Sequence, residues 1–112
     1  MLSLQVIETS FGTAAADVAV RLRWRTADGW RDLAEGRTAA DGELLLWPGR
    51  FPAAGTYRIF FDLDAYYAAL GTVPLYPSAV VEFRVEDQDT DLHMPLLVTP
   101  NSILTYRSDL DA

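Results

Sequence analysis

The sequence has no cysteine, a single histidine and two methionines, and all nine of its positive side chains are arginine. Without cysteine, disulfides, thiol nucleophiles and thiolate metal sites are excluded. One histidine is too few for a zinc or iron centre built on imidazoles within one subunit, so neither metal nor cofactor is expected. No apolar run approaches the roughly 20 residues of a membrane span, and no positively charged leader precedes an apolar core. The expectation is a soluble, cytoplasmic protein with no membrane partner. Positive charge is scarce as well: nine Arg against 16 Asp and Glu leave a net charge of −7. A chain so acidic lacks the basic patch that nucleic acid or an anionic membrane would need.

What remains is apolar and β-like. Half of the 112 residues are hydrophobic, enough for one core and one domain spanning 1–112. Leu2, Leu4 and Val6 alternate with Ser3, Gln5 and Ile7, the period of a half-buried strand with Gln5 turned from the core. Thr9 to Ala16 reads as a loop around Gly12. Val18, Val20, Leu22 and Trp24 then alternate with Ala19, Arg21, Arg23 and Arg25, a strand whose arginine row is its solvated face. Ala27-Asp28-Gly29 supplies a hairpin turn, and Trp30 to Glu35 follows as an edge strand. A second Asp-Gly turn, Ala40-Asp41-Gly42, leads into Glu43 to Trp47.

After the breaker-rich segment from Pro48 to Gly55, strand character resumes over Thr56 to Phe61. Asp62 or Asp64 can cap a short helix, Ala65 to Leu70, which Gly71 ends. Ala79, Val81, Phe83 and Val85 mark another strand. The acidic stretch Glu86 to Asp91 lacks the carboxylate spacing of a calcium loop and reads as a solvated turn. Short strands at regular intervals with glycine turns point to a β-sandwich. No repeat, linker or low-complexity segment interrupts them.

The last segment carries the chemistry. His93-Met94-Pro95-Leu96-Leu97-Val98-Thr99-Pro100 is an apolar run closed by proline, a buried strand, and Ser102 to Arg107 reads as the next. This run, with Leu104-Thr105-Tyr106-Arg107-Ser108-Asp109, is similar to the closing signature of the transthyretin-related 5-hydroxyisourate hydrolases. The likeness extends over nearly the whole chain, through Leu2-Ser3-x-x-Val6, Thr38-x-x-Asp41-Gly42, Gly55-x-Tyr57-Arg58-x-x-Phe61, Ala65-Tyr66-Tyr67 and Tyr76-Pro77. The chain departs from the family at two functional positions: the opening histidine falls on Gln5, and the arginine after the Asp-Gly turn falls on Glu43. Of the terminal Tyr-Arg-Gly-Ser, Tyr106 and Arg107 remain, and Ser108 takes the glycine position.

The resemblance implies an all-β fold, a transthyretin-like eight-stranded antiparallel sandwich of two four-stranded sheets with one short helix. It also implies dimers paired edge to edge and a homotetramer, a dimer of dimers. The sites would lie in a channel between dimers, where the first and last strands bring Gln5, His93 and Arg107 together at a subunit interface. The implied activity, in purine and urate catabolism, is attack of water on a ring carbonyl of a small cyclic amide. His93 is then the catalytic base or acid and Arg107 the anion-binding group, with Gln5, Glu43, Thr105, Tyr106 and Ser108 as substrate contacts. An amide at position 5 can orient a ligand but cannot take a proton, and Glu43 reverses the local charge. Two alternatives stand beside this one. The first is an enzyme of the same fold recruited to another ring opening, cyclisation or isomerisation on a less anionic metabolite. The second is a small-molecule carrier, as transthyretin is.

Overall fold

The computed structural model describes residues 1–108. The elements in order are β1 (Leu2–Glu8), β2 (Thr13–Ala14), β3 (Ala19–Thr26), β4 (Gly29–Arg37), β5 (Glu43–Trp47), β6 (Gly55–Asp62), α1 (Leu63–Ala68), β7 (Ser78–Val85), β8 (Leu92–Thr99) and β9 (Ser102–Thr105). They form two sheets packed as a sandwich. One runs β4-β3-β6-β7, and the other runs β2-β1-β8-β9 with β5 also joined to β1. The fold is the expected all-β transthyretin-like sandwich with one short helix.

Its details differ from expectation at four points. The described residues contain nine strands, because the loop around Gly12 includes the two-residue β2. The sheet built around β1 therefore has five strands, and its central pair, β1 and β8, runs parallel. The helix starts two residues early, at Leu63, because Leu63 is buried beneath it and Asp62 caps it by accepting from the Ala65 N–H at 3.1 Å. Finally, β9 stops at Thr105 rather than Arg107. The Ser108 N–H bonds the His93 carbonyl at 2.9 Å, so the backbone groups of His93, and two residues on those of Pro95, face β9. In the same register Tyr106 stands opposite Pro95, which has no N–H to donate. The Pro95 carbonyl accepts from the Thr105 hydroxyl at 2.8 Å.

The core follows from the alternation. Leu2, Leu4, Val6, Leu96 and Val98 face Val20, Leu22, Tyr57, Ile59 and Phe61, all fully buried, and each such side chain contributes about 1.5–3 kcal/mol. Tyr57 packs edge-on against Phe51 at 5.1 Å and stacks on Phe83 at 5.8 Å. On the outer side of the four-stranded sheet the arginine row is exposed, with Arg23 paired to Asp32 and Arg58 to Glu82, both at 2.8 Å.

β1 is shared along one edge: β5 pairs with Leu2 to Gln5, and β2 pairs with Ile7 and Glu8. The changeover is at Val6, whose N–H reaches the Gly42 carbonyl and whose carbonyl accepts from Ala15, both at 2.9 Å. Gly42 is required there, because its φ is +79° and a Cβ would stand 2.3 Å from the Val6 oxygen. The end of β1 is fixed by Glu8, a fully buried carboxylate. It accepts from the Ser10 hydroxyl and N–H, the Phe11 N–H and the Tyr67 hydroxyl on α1. Burial alone would raise the Glu8 carboxyl, but these donors outweigh it and hold the group below its ordinary range. Burial, then the Glu8 carboxylate, push the Tyr67 phenol upward.

Candidate functional site

Strand register decides which polar side chains meet, because directly paired residues point to the same face of a sheet. In the parallel β1–β8 pair, Ser3 stands beside His93 and Gln5 beside Pro95. In the antiparallel β1–β5 pair, Ser3 stands beside Leu45 and Gln5 beside Glu43. An isolated bridge sets Ser108 against His93. Two rows therefore cross the outer face of the five-stranded sheet, Leu45-Ser3-His93-Ser108 and Glu43-Gln5-Pro95. An open groove of about 310 Å³ runs among Ser3, Glu43, Leu45 and His93.

Within the groove His93 is half-buried, and its Nδ1 lies 2.7 Å from the Ser3 hydroxyl oxygen. Gln5 is also half-buried, and its Nε2 donates to the Asp41 carbonyl at 3.3 Å. Asp41 organises this turn, because its carboxylate accepts from the Glu43 N–H at 2.9 Å. The exposed Glu43 carboxylate enters no ion pair among the described residues. The groove thus holds one imidazole, one hydroxyl and one carboxylate, with the Gln5 amide beside Glu43 in the adjoining row, a set suited to proton transfer and to hydrogen bonding of a neutral ring.

None of the remaining candidates lines the groove, so Arg107 is not brought into it with His93 as the resemblance implied. Tyr106 and Arg107 are exposed beyond the end of β9, and Arg107 makes no side-chain hydrogen bond or ion pair among the described residues. Ser108, half-buried, is tied to His93 through its backbone. Thr105 is half-buried, and its hydroxyl is already donated to Pro95. Asp109 lies outside the described residues. Ser3 was not singled out from the sequence. The signal that finds it is its place two residues before Gln5, on the same strand face. Among the described residues no group of three or more His, Asp and Glu is arranged to hold a metal ion. No helix among them is long and apolar enough to cross a membrane.

The transthyretin-like sandwich is the fold of a known class of proteins. The description HIUase/Transthyretin family matches residues 2–108, and the chain belongs to that family. A 5-hydroxyisourate hydrolase from Caulobacter vibrioides is 36% identical over 110 residues, covering 95% of this chain and 96% of that protein. The structure of Klebsiella pneumoniae 5-hydroxyisourate hydrolase is similar at a TM-score of 0.83, with 29% identity over 96% of this chain and 98% of that one. Sea bream transthyretin in complex with thyroxine is similar at a TM-score of 0.86, with 32% identity over 96% of this chain and 93% of that one.

Proposed function

We propose that this protein hydrolyses a small cyclic amide of the 5-hydroxyisourate class, in purine catabolism, with His93 as general base. The observation that carries the reading is the Ser3–His93 contact at 2.7 Å on the groove wall, in a chain whose relatives are named 5-hydroxyisourate hydrolase. Water adds to the ring carbonyl carbon while the imidazole takes its proton. The carbon–nitrogen bond then breaks, and the proton passes to the departing ring nitrogen. Gln5 orients the ring by hydrogen bonding, and Tyr106, Arg107 and Ser108 border the ligand, Arg107 meeting developing negative charge. Thr105 contributes by holding the end of β9 in place. The working form in this reading is a homotetramer in the cytoplasm, with the outer faces of the five-stranded sheets lining a channel.

The direct experiment follows the absorbance of 5-hydroxyisourate with purified protein. The expected outcome is accelerated loss of substrate, reduced about 10²–10⁴-fold by His93→Ala, the range for a general base. Absence of turnover, or turnover indifferent to His93→Ala, overturns the reading.

A second reading is favoured by Glu43. A carboxylate on the groove wall repels an anionic ring, so a less anionic metabolite, and with it another ring opening, cyclisation or isomerisation, fits the charge better. Turnover of a neutral cyclic amide with 5-hydroxyisourate untouched selects this reading. Ligand binding that survives His93→Ala without turnover selects a carrier.

A further inference from the structure

We propose that Ser3 is a positioning residue for His93: its hydroxyl oxygen accepts the Nδ1–H and leaves the unprotonated Nε2 as the nitrogen that faces the groove. The assignment rests on the hydrolase reading above and adds to it the residue that prepares the base.

The geometry for this is built into the strands. Ser3 and His93 are direct neighbours in the parallel β1–β8 register, and both line the groove. The His93 backbone is held from the β9 side, by the Ser108 N–H on its carbonyl at 2.9 Å, while its side chain stands beside Ser3 of β1. Its ring has one hydrogen bond among the described residues, Nδ1 to the Ser3 hydroxyl at 2.7 Å. Which ring nitrogen of a histidine carries the proton is set by the bond the other nitrogen makes. A base acting through Nε2 needs Nδ1 protonated before the reaction and throughout it. The Ser3 oxygen meets that need in both states, accepting from the neutral ring and more strongly from the imidazolium. Ser3 itself neither gains nor loses a proton, because the proton taken from water goes to Nε2 and then to the departing ring nitrogen.

The opposite assignment, with Ser3 as a nucleophile giving its proton to the ring, requires an unprotonated Nδ1 and therefore the Nε2–H tautomer. The two assignments are distinguishable without knowing the substrate. The chain has one histidine, so its two ring nitrogens give the only imidazole signals in a nitrogen-15 spectrum. At mildly alkaline pH, where an imidazole is neutral, the expected wild-type spectrum is that of the Nδ1–H tautomer. Ser3→Ala shifts it towards the Nε2–H form that a free imidazole prefers, and Ser3→Thr restores it. In parallel, Ser3→Ala lowers kcat about 10–100-fold, the range seen when the partner that orients a metal-bound imidazole is removed, with KM changed less than about twofold and Ser3→Thr again rescuing. A wild-type Nε2–H spectrum, or full kcat in a folded Ser3→Ala protein, overturns the assignment while leaving the hydrolase reading intact. The Nδ1–H spectrum together with no turnover of any cyclic amide sinks the hydrolase reading, and with it a catalytic use for the bond.

Discussion

At the scale of single residues, one carboxylate and one hydroxyl beside the imidazole set the character of the groove. Glu43 stands beside Gln5 at the mouth of the groove, and its charge acts on whatever ring enters. Glu43→Arg is expected to lower KM for 5-hydroxyisourate about tenfold, equivalent to about 1.4 kcal/mol, and to raise KM for a neutral ring or leave it unchanged. Steady-state kinetics on both substrates check this, and an unchanged KM for the anion removes the charge argument. Gln5, Glu43 and His93 were legible from sequence because a motif fixes their positions along the chain. Ser3 lies in the same motif without a side chain that announces chemistry. Its part becomes visible only when the parallel register sets it against His93.

Between elements, the Glu8 carboxylate joins the end of β1 to α1 through the Tyr67 hydroxyl. Its carboxyl is held below its ordinary range by Ser10, Tyr67 and Phe11 despite burial. A carboxyl lowered in the folded state stabilises the protein above its unfolded pKa, about 4.3, and that stability is lost as pH falls through the folded value. Glu8→Gln is therefore expected to cost about 1–3 kcal/mol near neutrality, because buried donors lose their charged acceptor. It is also expected to flatten the acid limb of a stability profile measured by denaturant unfolding. A variant with an unaltered acid limb shows that Glu8 does not drive it. The sequence pattern located most elements and misjudged their ends for identifiable reasons. α1 begins at Leu63 because burial and the Asp62 cap decide its start. β9 ends at Thr105 because Pro95, on the neighbouring strand, has no N–H for Tyr106.

For the whole molecule, the outer face of the five-stranded sheet combines the groove with exposed apolar side chains, Leu45 at 54% and Leu104 at 56% exposure. In the tetramer reading these meet a second copy across the channel. Light scattering is then expected to give four times the chain mass. Leu104→Glu is expected to shift the protein to smaller species at the same concentration while the far-ultraviolet dichroism is kept. Each lost leucine contact weakens the assembly by about 1.5–3 kcal/mol. A wild-type monomer, or a tetramer indifferent to Leu104→Glu, argues against this face as the interface.

The sequence by itself determined the sandwich, because alternation of apolar residues is a local property that survives whatever the strands pair with, and its motifs determined the family. It also marked His93, Gln5 and Glu43. The tertiary structure alone decided that β1 and β8 run parallel, and so that Ser3 and His93, 90 positions apart, come within 2.7 Å. The physical reason is that pairing between distant strands is set by packing of the whole core, and a slip of one residue would turn every side chain of β1 to the opposite face.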